Sequence, residues 1–179
     1  MKTLLFILSI VCAFNLKAQQ LKLTNAVIIA QFEKEEDRYA MQALFTGILQ
    51  DQQIKTIPLM NVLKQGEDLQ HLMADSIQSL LLQKGFDTYF VVNVRGYDRT
   101  FKPSTDAQTL TELLETTSIY QIYRDEANSV SFEFSIYQKN QLISRQVLRC
   151  GNVSDRDSVL KRLRKRFVKK VLPQLLGKV

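Results

Sequence analysis

Few side chains in this sequence are of kinds that do metal or covalent chemistry. His71 is the only histidine among 179 residues. At helical spacing its neighbours four residues either way are Glu67 and Asp75, a trio that one helix face would offer to a divalent cation. Such trios arise readily on exposed helices, so the expectation is a solvated surface without a metal. There are two cysteines, Cys12 and Cys150. Cys150 ends a β-type segment just ahead of a helix start, a position that can favour a thiolate. A nucleophile also needs a base, and the sole histidine is far away in sequence; a buried or edge cysteine is expected. G-x-S-x-G, G-x-G-x-x-G and Walker sequences are all missing, so neither an enzyme nor a bound cofactor is expected.

Two charged constellations say more. Glu33, Glu35, Glu36 and Asp37 follow one β-type segment, and Arg95, Asp98 and Arg99 follow another. Parallel α/β sheets bind ligands beyond the carboxyl ends of their strands, so Glu33, Arg95 and Asp98 form a candidate site for a small polar ligand or cation. The stronger feature is a run of seven cations within ten residues: Lys161, Arg162, Arg164, Lys165, Arg166, Lys169 and Lys170. Leu160, Leu163, Phe167, Val171 and Leu175 form an apolar stripe between them; Arg164 falls inside its arc. Such a helix either docks its stripe on a core and leaves a solvated basic back, or presents Arg162, Lys165, Arg166 and Lys169 to an anionic partner. That partner would be an acidic protein, or an anionic lipid or polysaccharide surface. Nucleic acid is not expected, because no aromatic and basic residues interleave as on an RNA-binding sheet.

These groups need a scaffold. Asn25–Phe32 is a continuous β-branched apolar run, as in a strand covered on both faces. Asp37 is placed to cap a helix with apolar positions Met41, Leu44, Phe45, Ile48 and Leu49. Ile54–Ile57 is a short second strand closed by Pro58. Glu67 and Asp68 open a second helix, with the stripe Leu69, Leu72, Met73, Ile77, Leu80 and Leu81 and with Gly85 past its end. Thr88–Val94 is a third strand. Alternation of strands and helices predicts βαβ crossovers and a largely parallel core.

The pattern then changes. Ser129–Tyr137 alternates, with Val130, Phe132, Phe134 and Ile136 on one face and Ser131, Glu133 and Ser135 on the other. Lys139-Asn140 turns it into Gln141–Cys150, an antiparallel hairpin. Ser154 and Asp157 make a capping box for a helix running to about Leu172, with Pro173 ending or kinking it. The predicted fold is α/β with an α+β tendency: a β-α-β-α-β core in two or three layers, then an antiparallel β-hairpin and a C-terminal helix. Residues 102–127 carry only hints, a helical turn at Leu110–Leu114 and a strand at Ile119–Tyr123.

Residues 1–18, MKTLLFILSIVCAFNLKA, combine Lys2, an apolar stretch and a small residue, Ala18, before Gln19. This is the pattern of a secretory signal peptide, which leaves 19–179 as one domain. A lipid anchor on Cys12 is not expected, because Val11 precedes it where a small residue is wanted and the apolar run continues past it. Losing Lys2 and Lys17 with that segment lowers the formal charge of +6 by two, to +4. Cys150 is then the only cysteine, so an exported chain gains no internal disulfide. At 45% hydrophobic and 23% charged, the composition is that of a packed globular domain, which excludes disordered and collagen-like classes.

Four stretches carry a family likeness: NAVIIAQFEKEEDRY, LLQKGFDTYFVVNVRGYDRT, SFEFSIYQKNQLISRQ and SVLKRLRKRFVKKVL. In that order the chain resembles small exported envelope domains of Gram-negative bacteria with the βαβαβ-hairpin-α plan of the TolB amino-terminal domain and the curli secretion lipoprotein. The K-A-Q sequence at the expected cleavage point is similar to signals from Bacteroidetes. The resemblance implies a periplasmic or outer-membrane-associated accessory or assembly protein, without enzymatic activity, that binds an envelope protein or a second copy of itself. It brings no site residues with it.

Overall fold

The computed structural model describes residues 22–64, 66–96, 129–151 and 155–178. The expected signal peptide, Cys12, Asp98, Arg99, Ser154 and the stretch 102–127 lie outside them. A five-stranded mixed sheet has the order β2-β1-β3-β4-β5. β1 (Asn25–Ala30) pairs in parallel with β2 (Lys55–Pro58) and β3 (Thr88–Gly96). β4 (Ser129–Gln138) and β5 (Gln141–Gly151) continue the sheet antiparallel. The hairpin turn is Lys139-Asn140 as expected, both residues at positive φ, 50° and 63°, the backbone of a tight two-residue connection.

Alternation along the apolar strands feeds two cores. Ala26, Ile28, Phe90, Val92, Phe132 and Phe134 face α1 (Glu35–Gln50), α3 (Arg156–Lys170) and the short α4 (Leu172–Leu175). Val27, Ile29, Tyr89 and Val91 face Leu59, Leu72, Leu81 and Phe86 on the other side. Helices therefore cover both faces, and the fold is a three-layer α+β arrangement. Phe45, Phe90, Phe134 and Phe167, from α1, β3, β4 and α3, pack as four mutually touching rings with centroids 4.9 to 5.9 Å apart.

Three local expectations are corrected. Asp37 does not cap α1: the N-cap is Lys34, and Asp37 lies in the first turn and is buried. The second expected helix is two pieces, a 3₁₀ turn at Leu69–Met73 and α2 (Asp75–Gln83), separated by an extended Ala74. One continuous helix would point Leu72 and Leu81 about 180° apart, whereas the break lets both enter the same core. Asp68 caps the start of the 3₁₀ turn, its carboxylate accepting the Gln70 N–H at 2.9 Å. Leu80 is left exposed. The break also dissolves the face that would have joined Glu67, His71 and Asp75. The third correction moves the capping box by one residue. Asp155 accepts the Ser158 N–H at 2.8 Å, and Ser158 Oγ accepts the Asp155 N–H at 3.1 Å; this reciprocal pair outcompetes Ser154 with Asp157.

The stop of α2 is as expected. Gly85 has φ +79°, with Phe86 N–H on Leu81 O at 2.8 Å and Gly85 N–H on Leu82 O at 2.9 Å, a Schellman closure. Pro173 sits in the first turn of α4, where its missing N–H costs nothing.

Beneath the sheet, Asp87 ties three strands together. It accepts from Asn25 Nδ2 at 2.9 Å, Gln138 Nε2 at 2.7 Å and Thr88 Oγ1 at 2.8 Å. Burial works against its charge, but these hydrogen bonds outweigh it and hold the carboxyl below its usual range. A carboxyl depressed in the fold contributes stability above its unfolded pKa and loses it as pH falls through the folded pKa. Asp87→Asn is therefore expected to flatten the acid limb of a stability-versus-pH curve below about pH 4. An unchanged acid limb would assign that limb to other carboxylates.

Candidate functional site

β4 departs from its sequence reading in an informative way. Its apolar residues face the aromatic core as expected, but the opposite row is not wet: Ser129, Ser131, Glu133 and Ser135 are all buried. Glu133 is the centre of that row. Arg145 of β5 grips it with both ends of the guanidinium, Nε to Oε1 at 2.9 Å and Nη2 to Oε2 at 3.0 Å. Arg95 binds Oε2 from the other side, and Ser135 Oγ donates to Oε1 at 3.2 Å. Arg95 is the extra residue of a bulge between Val94 and Gly96, a feature that adjusts where side chains point.

Of the expected trio of Glu33, Arg95 and Asp98, the described residues include two. Glu33 is exposed, Arg95 is engaged with Glu133, and Asp98 lies outside the described residues. Sequence reasoning missed Glu133 and Arg145 as a pair. A signal was present: Glu133 is the lone charge in an alternating strand, and folding the hairpin about Lys139-Asn140 brings the region of Arg145 beside it.

At the other face, Arg156 opens α3 and clamps the first turn of α1. Its Nε lies 3.0 Å from Asp37 Oδ1 and its Nη1 3.6 Å from Glu36 Oε2, while it donates to Glu36 O. Burial pushes the Asp37 carboxyl up, against the pull of Arg156. These contacts explain why the acids of α1 serve packing as well as the helix dipole.

Cys150 is fully buried in the aromatic-side core. Burial pushes its thiol up to about 11, although Arg166 and Arg162 act in the opposite sense. The helix-terminus activation considered from sequence does not prevail. Native protein at pH 7 is expected to resist maleimide, and unfolded protein to react fully. Rapid labelling of the native state would contradict this burial.

The basic helix docks as its stripe predicts, with Leu163, Phe167, Val171 and Leu175 buried, Leu160 half-buried, and Val159 added. Arg164 escapes the arc to solvent, 3.9 Å from Asp51. Arg166 donates to Arg149 O on β5. Arg162, Lys165 and Lys169 are exposed and form no ion pair among the described residues. This face borders the outer edge of the sheet: β5 runs for 11 residues, and no described strand pairs with its far side. Ile143 and Val147 are exposed along it. Among the described residues no helix is long and apolar enough to cross a membrane, and no three His, Cys, Asp or Glu side chains are grouped to hold a metal.

No protein family matches this sequence, and no curated protein does. Two solved structures align with most of its length. Lipoprotein GNA1162 from Neisseria meningitidis is 11% identical over 83% of this chain and 96% of its own, with a TM-score of 0.46. The PelC dodecamer from Paraburkholderia phytofirmans is 9% identical over 88% of this chain and 90% of its own, with a TM-score of 0.42. At these values no residue role passes from either protein to this one.

Proposed function

We propose that this chain is an exported, non-catalytic protein of the cell envelope that acts by holding a partner protein at the β5 edge. The supporting observation is the combination at that edge: a long strand whose outer side pairs with no described strand, exposed Ile143 and Val147, and the cations of α3 alongside. Open strands recruit further strands through their backbone groups. The charge favours an acidic partner over a second copy, since two copies joined edge to edge would bring two basic helices together. The export assignment rests on the pattern of residues 1–18.

A photo-crosslinking residue at Val147 of the full-length chain, irradiated in intact cells, tests this. The expected product is a discrete adduct heavier than the chain by one other protein, and a probe at exposed Leu82 of α2 should not give it. No adduct from Val147, or the same products from both positions, would overturn the reading. An adduct of twice the chain mass would replace the partner with a second copy.

A second reading draws on Arg162, Lys165 and Lys169, which face solvent and form no ion pair among the described residues. On this reading they hold an anionic lipid or polysaccharide surface. Reversing all three to Glu is then expected to abolish sedimentation with anionic vesicles while the melting temperature stays the same. Sedimentation that survives the reversal removes this second reading.

A further inference from the structure

A cavity of about 310 Å³ opens beyond the carboxyl ends of β1 and β2, at the other end of the sheet order from β5. Ala30, the last residue of β1, lies at its base. Arg38 and Gln42 of α1 form one wall, and Leu59, Met60 and Leu63, which follow β2, form the other. The location is where parallel strands present ligands, and the volume suits a small molecule.

Arg38 and Gln42 bring hydrogen-bond donors to this lining. Gln42 is only 4% exposed. Its Oε1 accepts the Met60 N–H at 3.1 Å, which fixes the orientation of the amide. Its Nε2 is left with two N–H groups and no acceptor among the described residues. Gln42 lines the cavity, so these N–H groups are placed to donate to an acceptor bound there. Arg38 lies one turn earlier on the same face of α1, half-buried and without an ion pair among the described residues. A guanidinium fork one turn from an amide N–H suits a planar carboxylate.

The remaining lining narrows the class. Glu35 and Glu67 offset the charges of Arg38 and Lys64, so a doubly charged anion would meet repulsion. Leu59 and Leu63 are buried apolar surface suited to a hydrocarbon body. We propose that this cavity binds a small monocarboxylate with an apolar body, its carboxylate on Arg38 and Gln42 and its body against Leu59 and Leu63.

The test titrates isotope-labelled protein with octanoate, 1-octanol and octyl phosphate, following the backbone amides of Gln42, Met60 and Leu63 by NMR. Octanoate is expected to shift all three saturably and to bind more tightly than the other two. Arg38→Met keeps the apolar stem and removes the fork; it should weaken octanoate by about tenfold or more. Arg38→Lys keeps the charge without the fork and should fall between, while the unliganded spectra of both variants report an intact fold. Absence of saturable shifts with octanoate, equal binding of octanol, tighter binding of octyl phosphate, or an Arg38→Met variant as good as the parent would each overturn the proposal.

Discussion

Glu133→Ala is expected to destabilise the protein by about 3–5 kcal/mol. The side chain is 5% exposed, and those of Arg95 and Arg145 are 13% and 18% exposed. Removing the carboxylate takes away the counter-charge that two guanidinium groups share in a site with little access to water. The loss comes mostly from that missing counter-charge, so it exceeds what the ion pairs contribute over an apolar core. Denaturant unfolding of the variant measures it directly. Glu133→Gln, which retains an acceptor oxygen but no charge, should fall between parent and Ala. Replacing Glu133, Arg95 and Arg145 together by apolar residues of similar volume should recover much of the deficit. A loss below about 1 kcal/mol for Glu133→Ala is what a solvated surface pair would give, and would show that the network is open to water.

Phe167→Ala is expected to cost about as much, roughly 3–5 kcal/mol, through lost burial and the cavity left behind. Its ring is fully buried and lies 4.9 Å from Phe45, 5.0 Å from Phe134 and 5.9 Å from Phe90. Together with Leu163 it holds the basic helix to the sheet. A cycle of Phe45→Leu, Phe167→Leu and the double variant should show coupling of about 0.5–1.5 kcal/mol. Strictly additive losses would mean that the rings fill volume without stabilising one another.

The periodicities of β1, β3 and the hairpin are legible from residue types because each strand's partners lie close in sequence or its run is apolar on both faces. The docking of α3 is legible for the same reason: Leu163 and Phe167 leave no other inward face. The buried row on β4 is not. Alternation says that Ser131, Glu133 and Ser135 share a face; it does not say whether anything covers it. Arg95 and Glu133 lie 38 residues apart in sequence, a partnership that no local pattern encodes. The break at Ala74 eluded a stripe read as one helix because the stripe spanned half a turn of the wheel. Arg38 and Gln42 are visible only as polar residues four apart beside Met41 and Phe45, a spacing that becomes a cavity wall once the loop after β2 closes over it.

The two ends of the sheet order are unequal, and this limits what the protein can build. β2 is four residues long, begins at Lys55 and ends at Pro58, whose ring removes a backbone donor; β5 offers 11 residues. Growth by strand addition needs a receptive border at both ends of every subunit if it is to propagate. If the proposed partner binds at β5, the short, proline-ended β2 border gives no second site of that kind, and recruitment would stop after a single event, giving a complex of fixed stoichiometry instead of a fibre.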